Sequence, residues 1–544
     1  MESGQTIQIS RQGFWAIALT LFMVAYNVSV MPVIMSKIVL SFNSSVGYIQ
    51  GILVLFSLVT ASFAPTTENL CRYYGRTQIF TFGLMLYGIG IVLTSLSPDI
   101  GFLAVSFTFI VGLGATPLVS TPWAISDLAF DGKAERQASV ALVLISTLGG
   151  LSGSILGGYI AAHATWRWSF APSLAILLLI LLLRRFIPNL AVTCRESIDW
   201  IGGLLSFIGL GSILIALCLA GEFGWWVPKR RFSFAGLVIP PFAISIVPTL
   251  IAVGVIFLGL FAVWQRKQSR RSAASLMRVG LLKKPVFVFG MLTAMLHTLI
   301  STGVQFNLYQ FVPTVLLTNP FETALTVIPY TLTMVIVLVT ILQFLSLGDR
   351  LPPKYVVFSG VTLLGVGLLI LRQSIQPGAT SLGLMPGLII MGLGSGLFLS
   401  YIGALTYSVA SLQEKPEGSG IYNPVQNLGS SLGRGILGTT LIFFASQNIV
   451  DGVLQDLGKT LSSDQRRQAI ATLQEMLQTL SRSEIKEVFR QNLPPSTYAS
   501  MKSISLEAAT VGMQSSLVIA LILTAICFLL ATRLPKYPLR SRAK

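Results

Sequence analysis

Apolar runs of about twenty residues recur along almost the whole chain, separated by shorter polar stretches. Each is long enough to cross a hydrocarbon core of roughly 30 Å as a helix, and a helix satisfies its own backbone hydrogen bonds there. The pattern predicts spans near 14–36, 47–66, 78–97, 100–126, 138–162, 168–187, 199–220, 238–264, 286–311, 322–346, 354–372, 380–406, 418–446 and 509–532. The first is too long for the apolar segment of a secretory signal, lacks a small-residue cleavage site and leads straight into a second span. It is expected as a retained helix. Two connections break the rhythm. The stretch 265–284 is the most basic segment and marks an expected boundary between bundles. The stretch 448–505 is long and polar, yet Ile470, Leu473, Leu477 and Leu480 recur at helical spacing, and Ser481 precedes Glu484 as in a capping box. A solvated helical hairpin is the expectation there, with a cap over the outer mouth as the alternative.

Composition agrees with the pattern. Of 544 residues, 53% are hydrophobic and 10% charged, with a mean hydropathy of +0.76, against roughly 25% charged in a soluble chain. An even number of spans puts both termini on one side. Basic residues crowd the short loops of that side, so both termini are expected in the cytoplasm and the chain in the plasma (inner) membrane. The net charge of +17 is then loop basicity beside anionic headgroups, and no basic and aromatic module points to nucleic acid. Cys71, Cys194, Cys218 and Cys527 show no ligand or redox spacing, and two histidines are too few for a histidine metal site. No metal or cofactor is expected. Without a nucleophile–base pair or a phosphate-cradling loop, the chain does not read as an enzyme.

Chemistry inside the spans is neutral and polar. Tyr26, Asn27 and Ser29 interrupt the first helix; Gln305, Asn307, Tyr309 and Gln310 cluster in the ninth, two turns beyond His297. Tyr330 lies in the tenth, and Asn423, Gln426 and Asn427 in the thirteenth. Buried amides are costly unless partnered, so these residues either line a cavity or bond neighbouring helices. Trp123, beside Pro122, either stacks on a ligand or packs. Asp127, Asp199, Glu222 and Glu322 all fall near span ends, so no carboxylate offers itself as a buried proton carrier. Arg434 lies deep in the thirteenth span, where an unpaired cation costs about 2.5–3.5 kcal/mol or more. It must face water, pair with an acid, meet an anionic substrate or snorkel outward, and its flanks Gly433 and Gly435 leave room for a backbone or ligand.

Two segments carry a family resemblance. Leu144–Tyr159 reads LISTLGGLSGSILGGY and Trp166–Phe170 reads WRWSF; this resembles the glycine-rich fifth-helix motif and the W-R-W-x-F of the fourteen-span drug/proton antiporter family of the major facilitator superfamily. In that reading Gly149, Gly153, Gly157 and Gly158 form a close-packing face, with Ser154 in place of the usual proline. The segments IDWI (198–201) and GEFGW (221–225), the Gly348–Asp349–Arg350 loop and EGSGIYNPVQNLGSSLGRG (417–435) are similar to further family segments in the same order. Departures cluster at the family's coupling positions. Met23 stands where the first helix carries aspartate, and Thr108 where span four carries arginine. The loop 68–76, ENLCRYYGR, keeps Leu70, Gly75 and Arg76 but has Arg72 at the aspartate position.

The resemblance implies an all-α membrane protein of the major facilitator fold, with about fourteen transmembrane helices in two six-helix bundles plus two inserted linker helices. The bundles would be residues 1–190 and 285–544, and the linker 191–284. It implies a small-molecule substrate, drug- or metabolite-like, moved by alternating access and exported, with a coupling ion, H⁺ or Na⁺, left open. The acid-poor, amide-rich interior keeps a second substrate class in view: glycosides or oligosaccharides handled by permeases linked to cell-envelope polysaccharide. A lipid flippase or scramblase and a non-transporting receptor are the readings of another class.

Overall fold

The computed structural model describes residues 9–44, 46–130, 133–187, 199–223, 233–234, 237–238, 244–270, 281–343, 352–410, 415–480 and 482–537. Each of the fourteen predicted segments is helical over most of its described residues. Among the described residues twelve helices are long and apolar enough to cross a membrane, and two shorter apolar stretches, Gly51–Ala64 and Trp200–Ile213, lie in two more. A two-residue antiparallel pair, Ser233–Phe234 with Leu237–Val238, is the only extended structure among them.

We number the helices used below α1 (Arg11–Ser41), α2 (Val46–Tyr74), α3 (Arg76–Ser95), α4 (Ile100–Val105), α5 (Gly112–Ala129), α6 (Lys133–His163), α7 (Ala171–Leu183), α8 (Trp200–Phe223), α9 (Ile246–Arg270), α10 (Pro285–Val315), α11 (Pro320–Gln343), α12 (Pro353–Ser374), α13 (Ser381–Thr406), α14 (Lys415–Asp456), α15 (Ser463–Thr479), α16 (Arg482–Asn492) and α17 (Pro495–Ala531). A π-helical turn, Ser106–Val111, joins α4 to α5 within one apolar span.

Two large clusters dominate the apolar core of the described residues. One cluster draws on residues from Ala16 to Ile187 with Phe306 as the one visitor, and the other on residues from Leu281 to Leu534. Close approach in each half runs along glycines four residues apart. A Cβ on Gly149 or Gly153 would strike the carbonyl oxygens of Phe22 and Tyr26, and one on Gly157 would lie 2.7 Å from Val30, so α6 rides on the backbone of α1. In the second half a Cβ on Gly433 would strike Leu299 O and one on Gly429 would lie 2.5 Å from Met295 O, so α14 rides on α10 in the same way. With no hydrophobic drive between helices in lipid, such contact is what associates them.

Helices α8 and α9 pair with one another and lean on α2, where Phe63 and Phe207 meet with ring centroids 4.8 Å apart. Asp199 caps α8 from Gly202 N–H (2.7 Å) and also accepts from Trp264 Nε1 (2.9 Å) and Gln265 Nε2 (2.7 Å) of α9. The connection expected at 448–505 is largely helical. Helix α14 continues to Asp456, α17 begins at Pro495, and Ile449, Leu473, Met501 and Ala508 bury one another between them. The capping box lies at Ser462 and Gln465, at the start of α15; the Ser481 expected to head a box is outside the described residues.

Candidate functional site

Between the halves lies a cavity of about 410 Å³. Helix α1 contributes Val28, Ser29 and Pro32, and α6 contributes Thr147, Gly150 and Ser154. From the second half, α10 presents His297, Thr298, Ser301, Thr302, Gln305, Phe306 and Tyr309, α11 Tyr330, Thr331 and Met334, α13 Leu399, and α14 Gln426, Ser430 and Arg434. Two helical stripes dominate: His297, Ser301 and Gln305 on α10, and Gln426, Ser430 and Arg434 on α14. Each steps by four residues and so stays on one face. Hydroxyls are the commonest polar group of the lining. It holds two amides, one imidazole and one guanidinium, and no carboxylate among the described lining residues.

Polar groups on the wall are held in place. His297 Nε2 lies 3.0 Å from Ser395 Oγ, which also accepts from Tyr330 Oη at 3.0 Å. The imidazole stacks on Phe398, centroids 4.3 Å apart and planes 12° apart. Arg434 is 7% exposed, so it does not snorkel outward. Its Nη1 donates to Leu53 O and to Ser57 Oγ of α2, both at 3.0 Å, and Nη2 donates to Ser430 Oγ at 3.0 Å. A side chain of the second half thus grips a helix of the first.

Other cross-half contacts run along the last turns of α6, against α10 and the start of α11. Ser154 Oγ and Tyr309 Oη are 3.2 Å apart. The Tyr159 and Phe321 rings meet edge-on at 5.5 Å. A Cβ on Gly158 would lie 2.9 Å from Pro320 O. This end of the cavity is shut by direct contact.

Of the residues singled out in the sequence, Ser29, His297, Gln305, Tyr309, Tyr330, Gln426 and Arg434 come together on the cavity wall. Others sit in seams. Tyr26 Oη donates to Ser169 O (2.9 Å) and Asn27 Nδ2 to Tyr87 Oη (2.8 Å). Asn307 Nδ2 donates to Leu437 O (2.9 Å) and Ser516 Oγ (2.7 Å). Trp123 packs with Ala18, Leu21 and Leu142. Gln310 faces a separate pocket of about 120 Å³ beside Met35 and Ser36, and Asn427 does not reach the wall, since it lies a residue out of step with Gln426. The side chain of Asn423, and Asp349 and Arg350, lie outside the described residues. Apart from Ser29, the serines and threonines of the wall were not singled out as candidates, although 301 and 430 complete the four-residue stripes. Of the loop motif, Gly75 adopts φ 94°, a value open chiefly to glycine. Arg76 Nη1 donates to Glu68 Oε2 at 3.1 Å, so its carboxylate comes from the first residue of the motif rather than from position 72. Thr108, at the missing arginine's position, donates to Ile52 O at 3.4 Å.

Residues 17–197 match the family model described as Major Facilitator Superfamily. The chain is 25% identical over 524 residues to a Streptomyces coelicolor protein named "Probable actinorhodin transporter", covering 91% of this chain and 86% of that one. It is 24% identical over 441 residues to multidrug resistance protein Stp of Mycobacterium tuberculosis, covering 80% and 76%. Among solved structures, human organic anion transporter MFSD10 superposes with a TM-score of 0.55 at 13% identity, over 96% of this chain and 99% of that one; at that identity the likeness speaks for the fold.

Proposed function

Because the chain belongs to the major facilitator superfamily and is a secondary transporter, we propose that it exports a small organic solute by alternating access, with the central cavity as its substrate site. One observation carries the reading: a polar cavity lined by both halves and shut at one end by direct contact between them, the arrangement rocking bundles require. Export is supported by the relatives, one named as a probable actinorhodin transporter and another for multidrug resistance. His297, Gln305, Tyr330, Gln426 and Arg434 are the residues proposed to meet the substrate, whereas Asn307 and Asn27 hold helices together. The same reading puts the chain in the plasma membrane with both termini in the cytoplasm, and leaves the driving ion as H⁺ or Na⁺.

A second reading keeps the mechanism and changes the solute. Ten of the lining residues carry hydroxyls, a surface that also suits the many hydroxyls of a glycoside. Transport into inside-out vesicles separates the readings. Amphipathic drugs and glycosides would be offered in turn under an imposed H⁺ or Na⁺ gradient. Concentrative uptake that falls at least fivefold in Gln305→Ala or Gln426→Ala supports the cavity as the site. Uptake indifferent to both changes would remove the cavity from the pathway.

A further inference from the structure

We infer that the solute carries an anionic group, a carboxylate or its equivalent, which binds Arg434 and in doing so releases a latch between the halves. The inference rests on the cavity being the transport site. Among the described residues of its lining, Arg434 is the only one with a permanent charge. Its guanidinium holds Leu53 O and Ser57 Oγ across the seam and Ser430 Oγ on its own helix.

These bonds are exchangeable. A neutral hydroxyl or carbonyl is a weaker acceptor than a carboxylate, which takes two parallel N–H bonds from a guanidinium and is bound roughly twice as strongly per bond. When the guanidinium lets go of Ser57 and Leu53, those two groups keep each other as partners, because Ser57 Oγ donates to Leu53 O at 3.1 Å, the back-bond of a serine to its own helix. A guanidinium swung towards the cavity would find hydroxyl and amide acceptors in Ser430 and Gln426, one and two turns away on the same face. Occupancy by an anion would therefore undo one of the cross-half contacts, whereas a cation would meet like charge and leave the latch closed. Substrate charge would be read and the seam loosened by one side chain.

Purified protein tests this with benzoate, 2-naphthoate and 9-anthroate, each beside its methyl ester, with rhodamine 6G as a cation and phosphatidylglycerol vesicles as a lipid source of anion. The expected result is a rise in unfolding temperature with at least one carboxylate and none with its ester, and binding weakened tenfold or more in Arg434→Gln. Arg434→Lys should keep part of the affinity, since the charge remains but the fork is gone. Ser57→Ala, which removes one of the two latch acceptors on α2 and leaves Arg434 in place, should bind the carboxylate equally well or better. Should Arg434→Gln fail to fold, the ester comparison and Ser57→Ala still decide. Stabilisation by phosphatidylglycerol and by no soluble carboxylate would assign the site to a lipid headgroup and overturn a soluble anion. Rhodamine 6G or the esters binding and being transported, with the carboxylates inert, would overturn the inference while the transport reading stands. Equal binding of acid and ester with no effect of Arg434→Gln would overturn it as well. If none of the probes binds, the anion inference falls, and the transport reading is decided separately by vesicle uptake of the drugs and glycosides.

Discussion

Asn307 and Gln305 stand two residues apart in one helix and have opposite fates. Two residues turn an α-helix by about 200°, so an amide pair that looks like a cluster in sequence is split between two faces. Gln305 turns to the cavity; Asn307 is buried and gives both amide hydrogens to α14 and α17. Interhelical bonds of this kind are worth on average about 0.6 kcal/mol in a membrane protein and up to about 1.7. Asn307→Ala breaks two at once, so its expected cost is about 1–3 kcal/mol, seen as a lowered unfolding temperature with transport affinity kept in the folded fraction. Gln305→Ala should do the reverse, changing ligand affinity with the unfolding temperature of the empty protein unmoved. A drop in stability for Gln305→Ala equal to that of Asn307→Ala would erase the distinction. The sequence identified both as polar and deep. It could not say which faced the cavity, because that depends on the rotation of α10, and the rotation is set by Gly303 lying against Gly433 of a helix more than a hundred residues away. Hydroxyls of the wall were harder still to read, since serine and threonine bond back to their own helix in many of these spans and look alike whether or not they face a cavity.

Helices in each half are set by where one backbone can touch another. The α1–α6 seam was legible, because glycines at 149, 153 and 157 in one apolar run leave little other use for themselves. Its counterpart was only half legible: Gly433 was noticed as a neighbour of Arg434, and its partner α10 emerged from the fold. A leucine at Gly153 or at Gly433 has no room, since even the first side-chain carbon collides with a carbonyl of the facing helix. Gly153→Leu and Gly433→Leu are each expected to lose the monodisperse peak in size-exclusion chromatography. Gly403→Ala is the matched control; a Cβ there meets nothing within 4 Å, and alanine favours a helix by up to about 1 kcal/mol over glycine. Retention of a normal peak by both leucine variants would mean the seams are not what joins these helices. Helices α8 and α9 are joined differently, by a polar knot. Asp199→Ala would remove an acceptor shared by Trp264 and Gln265 together with the cap of α8, and each lost bond at a buried group costs about 1–3 kcal/mol. Faster hydrogen exchange confined to α8 and α9 is the expected signature; unchanged exchange in both helices would show the knot to be dispensable.

At the scale of the whole molecule, hydropathy gave the spans and their rough division, because burial in hydrocarbon is a property of each segment by itself. Which end of the cavity is shut was not legible. It depends on pairs such as Tyr159 with Phe321 and Ser154 with Tyr309, more than 150 positions apart, and a transporter must make and break such pairs in every cycle. A chain that selects two packings cannot carry a strong sequence signal for either. The contacts themselves can be tested. With the four cysteines replaced, Tyr159→Cys and Phe321→Cys would stand on rings whose centroids are 5.5 Å apart, within reach of a short bifunctional thiol reagent. Cross-linking of the empty protein is expected to be efficient and to stop vesicle transport, and a cleavable linker should restore it on reduction. If the link forms and transport continues at the full rate, this end of the cavity does not open during turnover. Rocking about the central site would then fail, and a path through the opposite end alone would have to serve both entry and release. If the reagent does not bridge the pair at all, the arrangement with α6 closed on α11 is not the resting one. Arg434 would then be expected to lose its grip on α2 as well, which Ser57→Cys paired with Ser430→Cys would report independently: linked in the closed arrangement, unlinked in its absence.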